Sequence, residues 1–145
     1  MQKIYLLLLS SVFVTGCAIP LQNSGMNGGY IEAPGPGKLE QVTFSGIVYI
    51  EPGRVLANVN YRVAEIAKSK NKPYFLMYRT LSDAALGLPA SSSIVGWMGM
   101  KPTASVFALY LDESQPGALK TSTVLAELHS IVHPNFANLG KGGAK

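Results

Sequence analysis

Two histidines four residues apart, His129 and His133, are the first residues that could do chemistry, because i and i+4 on a helix bring two imidazoles to one metal ion. The set is incomplete. Ser130 stands where a helical zinc protease carries its general-base glutamate, and no third ligand is suggested, so neither a metal nor another cofactor is expected. Both histidines fall off the apolar stripe of their helix and close to its C-terminal end, where the dipole favours a solvated, partly protonated imidazole. Ser91, Ser92 and Ser93 lack the G-x-S-x-G setting of an esterase nucleophile. The glycines at 96, 99, 140, 142 and 143 do not spell a phosphate loop. Asp112 and Glu113 belong to a turn, and Glu65 is placed to pair with Arg62 or Lys68 on a helix surface. No convergent acid–base set emerges, and the chain is not expected to be an enzyme.

Cys17 is the one cysteine, which rules out an internal disulfide. Lys3 and an apolar run from Ile4 to Val14 precede it. Eleven residues are too few to cross a bilayer, which takes about 20, and the pattern is that of an export signal. Val14-Thr15-Gly16-Cys17 resembles the lipobox of bacterial lipoproteins. The resemblance implies that Cys17 carries a diacylglyceryl thioether, that residues 1–16 are removed as a signal peptide, and that the new amino group is acylated, palmitate being a usual chain. Each buried methylene contributes ~0.8 kcal/mol, so two or three chains anchor effectively permanently. Ala18 stands where lipoproteins retained at many inner membranes carry Asp, which implies the periplasmic face of the outer membrane.

Without the signal 129 residues remain, enough for one domain with its own core. They carry 11 Lys and Arg against 8 Asp and Glu, a balance of +3. That is too mild and too dispersed for a nucleic-acid partner. The expected partners are the membrane, through the lipid, and another envelope protein.

The elements follow in order. Residues 17–40, rich in Gly and Pro, read as a flexible tether, with Tyr30 and Ile31 as the part that could dock. The domain spans 41–133. Alternation from Gln41 to Ile50 predicts a strand, and Val55, Leu56, Val59, Val63, Ile66 and Ala67 predict a helix from Arg54 to about Lys70, with Tyr61 pointing away from the stripe. Tyr74–Leu81 predicts a second strand. Residues 82–104 make a long loop with both breakers and large apolar residues, suited either to covering the sheet or to acting as a partner-binding lid. Ser105–Leu111 predicts a third strand, Ser122–His133 a second helix, and 134–145 a disordered tail.

The order strand-helix-strand-loop-strand-helix predicts a small two-layer α/β sandwich. A three-stranded sheet, its first pair parallel, carries both helices on one face. If Phe107 and Leu109 face the helices, then Tyr49, Tyr74, Tyr78 and Tyr110 line up on the opposite face. Those four and Trp97 are the candidate partner-binding residues. Phe44-Ser45-Gly46 with Tyr49, then Arg62-Val63-Ala64-Glu65, then Tyr74-Phe75, resemble an uncharacterised family of small proteobacterial lipoproteins with F-x-G-x-x-Y, R-A-A-E and Y-F segments. That family implies the lipoprotein and the strand-helix-strand unit and no activity. Two functions follow: an outer-membrane-anchored interaction or assembly factor working through protein contacts, or a non-catalytic binding module for a small ligand or cell-wall component in the crevice beside Trp97.

Overall fold

A computed structural model describes residues 28–134. The signal, Cys17, the tether as far as residue 27, and all of the tail but Pro134 lie outside the described residues. Those described form a six-stranded sheet, antiparallel throughout, and three helices. β1 (Gly29–Pro34) turns into β2 (Glu40–Ser45), which leads to helix α1 (Pro52–Ser69) and strand β3 (Tyr74–Tyr78). A short helix α2 (Leu81–Ala85) precedes the hairpin of β4 (Val95–Met98) and β5 (Lys101–Leu111). β6 (Leu119–Lys120) and α3 (Thr121–Val132) complete the chain.

The three-stranded sandwich is therefore overturned. The sheet order is β1-β2-β5-β3-β6, with β4 also paired to β5. The β2–α1–β3 unit exists, but β5 inserts between its two strands, so they are not a paired parallel couple. The insertion is a long-range pairing: Val42 meets Val106 and Met77 meets Ala108 across the two sides of β5. β1 comes from the segment read as tether. Its Tyr30 hydroxyl donates to Asn58 Oδ1 at 3.1 Å, and Glu32 accepts from Arg62 Nε at 2.7 Å. Gly and Pro lower strand propensity, but these two ties to α1 and a six-residue ladder with β2 outweigh it.

Alternation along β5 also runs opposite to expectation. Val106 and Ala108 are buried against α1, with Val42, Phe75 and Met77, while Phe107 and Leu109 face the other side. Both sets are apolar, so no polar face marked the direction, and the small side chains of Ala104 and Ala108 are the ones beneath the helix. Tyr61 does not point away into water. It is buried, because α3 packs along a second side of α1 and covers it. The helices do not share one face: α3 lies mainly on α1, and α2 sits with Tyr78 and Leu109 on the opposite side of the sheet.

The two ends of the sheet are built differently. At one, called here the distal end, α1 closes with Asn71 at φ 55°, the Asn71 N–H bonding to Lys68 O and the Lys72 N–H to Ala67 O, a Schellman closure. There Thr121 fastens α3, its N–H donating to Pro73 O at 2.9 Å and its hydroxyl to Lys72 O at 2.8 Å. At the other end lie the start of β1, the loop 46–51, the start of α1, the β4–β5 turn and the end of α3, where Arg54 donates to Ile131 O.

Candidate functional site

This second end carries the functional candidates. β2 stops at Ser45 rather than running to Ile50, and the chain folds back so that the Ile50 side chain is pressed against Gly46, where a Cβ would collide with it. The Gly46 N–H still reaches Pro102 O at 2.8 Å, and the chain then turns, with Ile50 N–H on Ile47 O. Ile47, Val48 and Tyr49 are left at the tip of that loop. Beside it, the segment 82–104 is not one loop. Its first half forms most of α2 and a return that runs beside β3, with Ala90 N–H on Met77 O at 2.8 Å and Pro89 against Gly117. Its second half forms β4, which reaches the two-residue turn Gly99-Met100, Gly99 taking the positive φ of 63° that such hairpin turns require.

The result is an apolar pole. Tyr49 is 94% exposed, Met100 73%, Met98 70% and Trp97 64%, with Ile94, Ile47 and Val48 also exposed. Sheet register sets the two projections at the same end, since Ser45, Thr103 and Gly96 sit side by side on β2, β5 and β4. Leu86 and Leu88 are exposed elsewhere, but seven large apolar side chains projecting from one end of the sheet suit a contact surface. On the side of the sheet away from α1, a crevice of about 350 Å³ runs beside Trp97 between Arg79, Ser93, Met98, Thr103 and Ser105. Ser93 Oγ donates to Ser105 O at 2.6 Å along its wall.

The expected tyrosine face is not assembled. Tyr49 is in the exposed loop. Tyr74 and Tyr78 lie on the sheet face away from α1, and Tyr78 is only 6% exposed, covered by α2 and the β1–β2 turn. Tyr110 is on the α1 face, with the Lys70 ammonium 4.9 Å above its ring. Its hydroxyl is buried without a hydrogen-bond partner, and burial, then the charges of Glu40 and Glu32, push its pKa up. Of the candidates, only Tyr49 and Trp97 are exposed at the same end of the sheet. The apolar residues beside them, Met98 and Met100, were readable as part of a long loop but not as a turn at the sheet's end.

His129 and His133 do share a helix side, with ring centroids 5.1 Å apart. Their common neighbour is Tyr61, at 6.3 and 5.3 Å, so they form an aromatic cluster over α1. Among the described residues, no group of three or more His, Cys, Asp or Glu could hold a metal ion. Glu65 pairs with Arg62 at 3.0 Å, and Arg62 joins it to Glu32. Burial alone would lower the Arg62 pKa, but the two hydrogen-bonded carboxylates outweigh it and raise it. This is a clamp between β1 and α1. Tyr30, stacked at 5.5 Å from that guanidinium, has its pKa pushed up to about 12, first by burial and then by Glu65. No known protein family, curated protein or solved structure matches the chain. No helix among the described residues is long and apolar enough to cross a membrane.

Proposed function

We propose that this is an envelope lipoprotein, anchored through Cys17 at the periplasmic face of the outer membrane and acting by contact as an interaction or assembly factor. The observation that carries it is the apolar pole: a group of large side chains held in water by a well-packed domain is suited to a surface that covers them. The lipobox-like Val14-Thr15-Gly16-Cys17 supplies the anchor that would bring such a surface to the envelope. The rest of the domain, including the sheet face with Tyr74, is left for an envelope protein.

Metabolic labelling with a lipid precursor, in wild type and Cys17→Ser, tests the anchor, and crosslinking in intact envelopes tests the contact. Label lost in Cys17→Ser and one dominant crosslinked envelope protein in wild type are expected. Export to the soluble periplasm regardless of Cys17 would overturn the reading. A second reading has one observation in its favour, the crevice beside Trp97: at about 350 Å³ it falls at the small end of ligand pockets, which run from ~300 to 1,000 Å³. Its hydroxyl wall and Arg79 suit a small polar ligand or a cell-wall fragment. Saturable binding of such a fragment, lost in Ser105→Leu, would favour this second reading over the first.

A further inference from the structure

We infer that the apolar pole rests in the headgroup region of the lipid bilayer, with Trp97, Met98, Met100 and the loop Ile47–Tyr49 as the residues that enter it. The inference rests on the reading of Cys17 as the site of lipid attachment. What commits the pole to lipid is where the chain leaves the domain. Gly29 is paired with Ser45, and Gly28 lies against the carbonyls of Ser45 and Gly46, so the described chain begins at the apolar end. Eleven residue steps separate Cys17 from Gly28, and fully extended they reach at most about 40 Å. β5 alone, at ~3.4 Å per residue over 11 residues, is nearly that long. A domain hung by this end keeps its apolar pole within about 40 Å of the bilayer, and the pole is the part of the described domain that the tether reaches first.

The residue types agree. Trp and Tyr place an apolar ring and a polar edge at the headgroup level, and Met, Ile and Val supply bulk below it. Shape agrees as well. The hairpin turn and the 46–51 loop are two separate projections, and a fluid interface closes around both, whereas a protein partner must match their outline. Arg54 and Lys101 stand at this end, with Glu51 as the acidic neighbour, so the rim does not oppose anionic headgroups. The opposite end, bearing Lys68, Lys72 and Lys120 around a cleft of about 670 Å³, is then turned toward the periplasm.

Trp97 is the one tryptophan in the chain, so indole fluorescence reports this pole alone. The test uses the full lipidated protein in vesicles of phosphatidylethanolamine and phosphatidylglycerol, with or without brominated acyl chains. Mass spectrometry checks acylation of Cys17, and flotation checks attachment. The expected result is a blue-shifted Trp97 emission, quenched by brominated lipid and shielded from aqueous acrylamide, with loss of lipid quenching in Met98→Ser/Met100→Ser. Because these two side chains are exposed, the double variant is expected to stay folded. A protein that is acylated and floats, but whose Trp97 is open to acrylamide, overturns the inference and leaves the anchor standing. Shielding from acrylamide without quenching by lipid also overturns it, in favour of a second copy of the chain as the cover. A chain with no acyl group on Cys17 removes the anchor and the inference together.

Discussion

The two ends of the sheet solve opposite problems. At the distal end charged and polar ties hold one element to another: Lys70 reaches Glu40, Lys72 reaches Asp112 at 2.7 Å, and Thr121 satisfies Lys72 O. At the apolar end the backbone is held too, through Gly46 on Pro102 and the β4–β5 ladder, yet the side chains it carries face water. The difference separates folding from function. One end holds the layers together, and the other spends some of that stability to keep an exposed surface in place.

That division can be broken by experiment. The largest effect is expected from Phe75→Ala, which empties a fully buried site opposite Tyr110 and should cost about 3–5 kcal/mol in urea unfolding. Thr121→Ala removes one hydrogen bond at a buried position and should cost about 1–2 kcal/mol, read in the same assay. A smaller, pH-dependent loss is expected at Tyr30. Its pKa in the folded protein, about 12, lies above its ordinary value of 10, so its neutral form is favoured by folding. The stability it contributes is complete below pH 10 and is lost as pH rises from 10 toward 12. Tyr30→Phe should flatten that part of the thermal-melt profile. The smallest change is expected at the apolar end. Trp97→Ser should shift unfolding by no more than about 0.5 kcal/mol, while reducing self-association of the soluble domain in sedimentation. A cost for Trp97→Ser approaching that of Thr121→Ala would erase the distinction between the two ends.

Much of this was legible where a period was strong. The α1 stripe of Val55, Val59, Val63 and Ala67 is buried as its spacing predicts, and α3 begins and ends within a residue of expectation. The sheet was less legible for three physical reasons. β1 hides in a Gly- and Pro-rich run, and its stabilising partners, Asn58 and Arg62, lie about thirty residues away. β5 is apolar on both faces, so alternation could not say that Val106 rather than Phe107 meets the helix. β4 has the breaker Gly96 within it, and its hairpin turn is Gly-Met rather than the common Asn-Gly. The tyrosine face failed with the β5 direction: once Tyr110 turns inward under Lys70, only Tyr74 and Tyr78 share a sheet face, and Tyr49 stands apart in the 46–51 loop. Trp97 is exposed, as the penultimate residue of β4 beside the hairpin turn.

The pairing of β1 has a mechanical consequence. The strand begins at Gly29, where the described chain enters, and runs from there to Pro34 along β2. A pull on the chain upstream of Gly28 acts along the axis of β1, so its six residue pairs with β2 are strained in shear, all at once, rather than peeled open one by one. The Glu32–Arg62 ion pair and the Tyr30–Asn58 hydrogen bond are crosswise to that pull and resist it from the helix side. Loaded in this direction, β1 resists as one unit rather than unzipping pair by pair.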